Sequence, residues 1–113
     1  MTHARPMSAA PDANLERLVD HIAKSMAPLQ IWLFGSRAEG RERPNSDYDL
    51  LVVMSDETPE AELDSAKAWH LGHDVRVIAD IVPCTLAEFE EEKSEPGTLP
   101  SAAFRRGRKV YER

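Results

Sequence analysis

Apolar positions along the chain follow two periods, and polar or glycine- and proline-bearing segments separate them. From Asp12, the residues Leu15, Leu18, Val19, Ile22, Ala23 and Met26 recur at helical spacing, with Asp12 placed to cap the start and Pro28 to mark the end. Ile31 to Phe34 is a short apolar run that reads as a buried strand; Gly35-Ser36 ends it and a short helical turn is expected next. Glu39 to Ser46 is a polar loop with glycine and proline, and Tyr48 to Met54 is apolar on both faces past Asp49, as a central strand should be. Thr58-Pro59 opens a second helix carrying Ala61, Leu63, Ala66 and Trp69 or His70, with Gly72 as its stop. Asp74 to Val82 alternates and predicts a third strand. Thr85 and Glu88 have capping-box spacing, so a helix should run to about Glu95, where Pro96-Gly97 breaks it. Leu99 to Arg106 predicts a last short helix, and Lys109 to Glu112 an edge strand.

The order α-β-β-α-β-α-α-(β) implies an α+β fold, a mixed α/β sandwich with helices packed on a central mixed sheet. At 113 residues the chain suits one domain. That domain is expected over residues 12–113, behind a loose tail over residues 1–11 that has two prolines and no periodicity.

Charge narrows the partners. A formal net charge of -6 argues against general nucleic-acid binding, which relies on basic surface. The charge is unevenly placed: Glu88 to Glu95 holds five glutamates, and Arg105 to Arg113 holds five Arg or Lys. That basic end could meet a triphosphate or a compact RNA feature, or the two runs are solvated faces of opposite sign. No apolar run approaches the roughly 20 residues of a membrane span, and Met1 to Pro11 lacks the apolar stretch of a signal peptide. The single cysteine, Cys84, cannot form an internal disulfide, which points to a reducing cytoplasm.

The candidate chemistry lies between the first two strands. Glycine at position 35 lets backbone approach a phosphate, and the amides that follow, with the Ser36 hydroxyl, can donate to its oxygens; a plain turn capped by Ser36 is the alternative. Asp47 and Asp49, two apart at a strand, can point to one face and share a cation. Oxygen-only ligands select Mg²⁺ or Mn²⁺ over Zn²⁺. The alternative leaves one acid at a loop end and the other at a wet sheet rim. Asp80 lies inside an apolar strand, where a carboxylate needs a pairing arginine such as Arg76 or Arg37, or a metal. If that strand lies beside the Asp47 strand, the three acids form one cluster able to hold two metals. Asp74 and Asp56, at strand ends, are weaker candidates.

Gly35-Ser36, then Asp47-x-Asp49, then Asp80 on a following strand, resembles the minimal nucleotidyltransferases of the DNA polymerase β superfamily. The stretch LFGSRAEGRERPNSDYDLLVV is similar to that family's core motif, and the likeness extends over about residues 12–112. The resemblance implies transfer of a nucleoside monophosphate, AMP from ATP, to a hydroxyl acceptor with release of pyrophosphate. It implies Asp47, Asp49 and Asp80 as ligands of two Mg²⁺ ions, with Asp80 also the base for the acceptor. Gly35 and Ser36 would hold the β and γ phosphates, and Arg37 would add charge there. Glu39 departs from the pattern, which often has a second basic residue at that turn. Many small family members act as antitoxins beside a HEPN-type ribonuclease, some by attaching AMP to a toxin tyrosine, and this chain is similar to that group in length and single domain. Two other classes stay open: a module that neutralises a partner by contact, using the acidic helix Thr85 to Glu95, and a transferase acting on a small molecule.

Other residues read as structural. His70 and His73 with Trp69 and Gly72 suggest a helix end rather than a metal fragment, Trp32 and Tyr48 read as core or sheet surface, and Cys84 as inert. Phe104 and Tyr111 should anchor the C-terminal segment to the sheet.

Overall fold

The computed structural model describes residues 12–113; the N-terminal tail expected over residues 1–11 lies outside the described residues. Helix α1 (Ala13–Met26) buries Leu15, Leu18, Val19 and Ile22 on one face, as the helical spacing requires. Its first turn is capped by Asp12, whose Oδ1 accepts from the Leu15 amide at 3.1 Å. The helix ends at Ala27 in the left-handed region, and Pro28 then forbids continuation.

Strand β1 (Gln30–Phe34), helix α2 (Ser36–Glu39) and strand β2 (Tyr48–Met54) follow in order. Next come a 3-10 turn (Glu60–Glu62), helix α3 (Ser65–Asp74) and strand β3 (Ala79–Thr85). Helices α4 (Leu86–Glu92) and α5 (Leu99–Arg106) precede the last strand, β4 (Arg108–Glu112). The strands form one mixed sheet in the order β3-β2-β1-β4. β1 is antiparallel to both β2 and β4, while β2 and β3 are parallel, joined by the α3 crossover.

Helices cover both faces, so β2 is apolar on both. Ile31, Leu33, Leu50, Val52 and Ile81 pack with α1 and α3 residues in one cluster. Leu51, Val53 and Cys84 pack with Phe89 of α4 and Ala103 of α5 in a second. Trp32 stacks on Phe89 at 5.3 Å between centroids and tilts against Phe104 at 6.0 Å, which ties α4 and α5 to β1. This is the expected α+β sandwich. Among the described residues, no helix is long and apolar enough to cross a membrane.

Four boundaries differ from expectation, each for a local reason. The helix expected from Pro59 is split: Pro59 precedes only the 3-10 turn, and α3 begins later, where the Asp64 carboxylate caps the Ala66 amide at 2.8 Å. Gly72 does not stop α3 but lies inside it, where a Cβ would stand 2.5 Å from the Val77 carbonyl oxygen. Consequently α3 buries Ala68, Leu71 and Gly72, and Trp69 and His70 face outward. The third strand starts at Ala79 rather than Asp74. Residues 75–77 are held to the end of α3 by amides donating to Gly72 and His73 carbonyls, with Arg76 left-handed at φ 61°. Helix α4 ends at Glu92 because the Thr98 hydroxyl donates to the Glu92 carbonyl at 2.9 Å and also caps α5.

Candidate active site

Gly35 stands at the end of β1 with φ 78° and ψ -159°, a conformation open essentially only to glycine. A Cβ there would collide with Asp49 Oδ2 and lie 3.1 Å from Asp49 Cγ. The missing side chain is thus what lets the turn rest against the carboxylate of its register partner's strand: Phe34 pairs with Asp49. Gly35 itself is the N-cap of α2, with Ala38 and Glu39 amides both donating to its carbonyl at 3.1 Å. Ser36 is therefore the first helical residue, and no side-chain cap bond is made at that end. The expected alternative, a turn capped by Ser36, does not describe it.

Asp49 and Asp80 are register partners across the parallel β2–β3 pair. Strand alternation puts Asp49 on the same face as Leu51 and Val53, the face covered further along by α4 and α5. Asp47 lies one residue before β2, in the loop, and is exposed. Asp49 is half-buried, and its carboxyl is pushed above the ordinary carboxylate range, first by burial, then by the charge of Asp80, then by that of Asp47. Every one of these influences opposes its ionisation. Asp80 is exposed, contrary to the expectation of a carboxylate buried in an apolar strand, because β3 is an edge strand that only begins at Ala79.

Such a donor set suits a hard divalent cation: only carboxylate oxygens, one of them half-buried beside two uncompensated like charges. The set is not closed as it stands. Among the described residues no three His, Cys, Asp or Glu side chains converge tightly enough to hold a metal ion. Asp47 lies on the loop, outside the strand register that pairs Asp49 with Asp80.

Sequence reasoning missed how that loop is held. Arg37 Nε donates to the Ser46 carbonyl at 2.9 Å and its guanidinium lies 4.1 Å from the Tyr48 ring centroid. Tyr48 is buried on the opposite face from Asp49, and its hydroxyl donates to Asp12 Oδ2 at 2.8 Å. The phenol is pushed up by burial and then by its bond to Asp12. One chain of contacts therefore runs from the α1 cap through Tyr48 and Arg37 to the residue before Asp47. Arg37, expected at the phosphates, is engaged with this loop. The signal was present in part, since Tyr48 alternates with Asp47 and Asp49.

The weaker candidates have structural partners. Asp74 pairs with His21 at 2.9 Å, and Asp56 accepts from the Ala87 amide at 2.9 Å. His73 stacks on Trp69 and His70 bonds the Lys67 carbonyl of its own helix. Glu39 meets Arg41 and Arg106 at 3.4 and 3.8 Å on the surface. Cys84 is buried and its thiol is pushed up to about 12, mainly by burial, which leaves it unreactive.

A family model described as a nucleotidyltransferase domain matches residues 15–109, and the chain belongs to that family. Two solved structures are similar in fold. One, a toxin-antitoxin crystal structure with AMP-PNP, is 16% identical with a TM-score of 0.56, covering 87% of this chain and 73% of that one. The other, assigned as a nucleotidyltransferase of Sulfolobus solfataricus, is 18% identical with a TM-score of 0.55, covering 96% and 94%. No curated protein matches the chain by sequence.

Proposed function

We propose that the chain is a Mg²⁺-dependent nucleotidyltransferase that moves AMP from ATP onto a hydroxyl of a partner protein. On this reading it is the antitoxin of a HEPN-type toxin and modifies a tyrosine of that toxin. The observation that carries the reading is the fit of Gly35 against Asp49 with Asp80 in register beside it. A phosphate-suited turn and a carboxylate pair thereby share one end of the sheet.

Asp47, Asp49 and Asp80 would hold two Mg²⁺ ions, which supply charge neutralisation for the triphosphate and acidify the attacking hydroxyl. The amides after Gly35 and the Ser36 hydroxyl donate to β and γ phosphate oxygens. Arg37 keeps a positive charge beside the same turn and fixes the loop that carries Asp47. Asp80, exposed at the sheet edge, accepts the proton of the acceptor hydroxyl. The hydroxyl oxygen bonds the α-phosphorus, the bond from that phosphorus to the bridging oxygen breaks, and pyrophosphate leaves. Similarity of fold to a toxin-antitoxin structure with AMP-PNP supports both the nucleotide and the kind of partner.

A second reading draws on a different observation. Glu88, Glu90 and Glu91 are exposed on α4 and could dock a basic partner surface without chemistry. Incubation with the product of the adjacent gene and ATP labelled at the α-phosphate separates the two. Transfer of that label, absent with γ-labelled ATP and lost in Asp49→Asn, is the expected result. Neutralisation that persists without label in the Asp47→Asn, Asp49→Asn double variant contradicts transfer and favours contact.

A further inference from the structure

Asp80 stands in the wall of a cleft of about 390 Å³ between α3 and β3, in the size range of small-ligand sites. Ser65, Ala66 and Trp69 of α3 line one side, and Asp80, Ile81 and Val82 of β3 line the other. Ile81 is only 2% exposed, so β3 offers the cleft little beyond the side chains of Asp80 and Val82. Among the described residues that line it, Asp80 is the one charged side chain. The rest of the wall is apolar apart from Ser65.

Trp69 gives this wall its character. The residue is 56% exposed, and His73, one helical turn on, stacks against its ring at 5.7 Å between centroids and 14° between planes. His73 lines a separate cleft of about 240 Å³ and not the larger one, so the ring surface turned toward Asp80 is the one His73 leaves free. A free aromatic face takes a second ring in an offset or edge-on arrangement, with a gain beyond the area covered. Asp80 also pairs in register with Asp49, which lies against the Gly35 turn. The cleft is thus joined to the site of the proposed transfer through Asp80.

We propose that this cleft is the acceptor site and that it takes a phenolic side chain presented by a partner, with the ring against Trp69 and the hydroxyl at Asp80. An apolar wall with one free aromatic face and one carboxylate matches a ring that carries a single hydrogen-bond donor. An aliphatic hydroxyl leaves the Trp69 ring uncovered and binds less well. In the transfer, the phenol oxygen bonds the α-phosphorus of the nucleoside triphosphate as the bond from that phosphorus to the bridging oxygen breaks. The phenol proton passes to Asp80 and pyrophosphate leaves. That step rests on the transferase reading; the docking of the ring does not.

Nuclear magnetic resonance of the isotope-labelled full chain tests this, with the N-acetyl amides of tyrosine, phenylalanine and serine as probes. Trp32 is the internal control, because its indole N–H already donates to Gln30 Oε1 at 2.8 Å and its ring stacks on Phe89. The Trp69 indole and the Asp80 amide should shift saturably with the tyrosine probe while the Trp32 indole stays in place. The phenylalanine probe should bind about fivefold more weakly, a difference that Asp80→Ala abolishes. The serine probe should bind about tenfold more weakly than the tyrosine probe. Trp69→Ala should weaken the tyrosine probe about tenfold at the Asp80 amide with an unchanged melting temperature, and Trp69→Phe should retain most of the binding. No shift with tens of millimolar tyrosine probe, an equal response to the serine probe, or undiminished binding by Trp69→Ala overturns the proposal. A Mg²⁺- and ATP-dependent rise in melting temperature, measured on the same sample, reports the transferase reading separately. The rise without a Trp69 response sinks only the acceptor site, and the response without the rise sinks only the transfer step.

Discussion

Replacing Gly35 by alanine loads two separate penalties on one position. The backbone at φ 78°, ψ -159° lies in a region that only glycine occupies without strain, a cost of about 1–3 kcal/mol for another residue. The added Cβ also meets the Asp49 carboxylate, which must swing out of a half-buried position. For a domain of this size each kcal/mol lowers Tm by about 4–8 °C, so the backbone cost alone predicts a fall of roughly 5–20 °C. Thermal unfolding followed by circular dichroism measures it in the metal-free protein. The collision part is separable: in an Asp49→Ala background the same glycine change should be milder, while the backbone part persists. A Gly35→Ala protein that melts with the parent would refute the strained turn. Equal losses in both backgrounds would refute the close approach of turn and carboxylate.

Asp49→Asn should change the pH dependence of stability. Because the folded-state pKa of Asp49 is raised, the folded chain binds more protons than the unfolded one from about pH 4 up to the raised value. Stability from this group is therefore full at lower pH and is lost as pH rises through that window. The asparagine variant should lose this slope and match or exceed the parent at neutral pH without metal; a clear loss at neutral pH in urea titrations would contradict it. Tyr48→Phe removes the bond to Asp12 but keeps the ring under Arg37, so it should cost about 1 kcal/mol, read as a lowered urea midpoint at constant slope. An unchanged midpoint would show that the hydroxyl does not tie α1 to β2.

Much of the architecture is legible because local signals and burial agree. Asp12, Thr85 with Glu88, and the glycines flanking Ser36–Glu39 act where their spacing places them. The run from Leu50 to Met54 reads as central, and it is buried on both faces. Failures cluster between Thr58 and Asp80, where tertiary contacts override local preference. Gly72 looks like a stop, yet it is a close approach to Val77, and the left-handed turn falls on Arg76, which carries no such signature. Missing that turn made the strand too long and placed Asp80 in the interior. The acids and the Gly-Ser turn were visible as a spacing. The turn meets Asp49 through the antiparallel β1–β2 pairing and Asp49 meets Asp80 through the parallel β2–β3 pairing, neither of which a local pattern encodes, and the hold of Arg37 on Ser46 is a contact nine residues apart through an irregular loop.

On the proposed reading, Gly35, Ser36 and the three aspartates form one site for a metal-bound nucleoside triphosphate. Its most direct test is the melting temperature with ATP, GTP, CTP and UTP, each with and without Mg²⁺. A ligand at about 100 times its Kd stabilises by about 2.7 kcal/mol, a rise of roughly ten degrees or more in a domain of this size. That rise is expected with ATP only when Mg²⁺ is present, and is expected to be lost in Asp49→Asn. No rise with any nucleotide, or a rise that Asp49→Asn leaves intact, would contradict it.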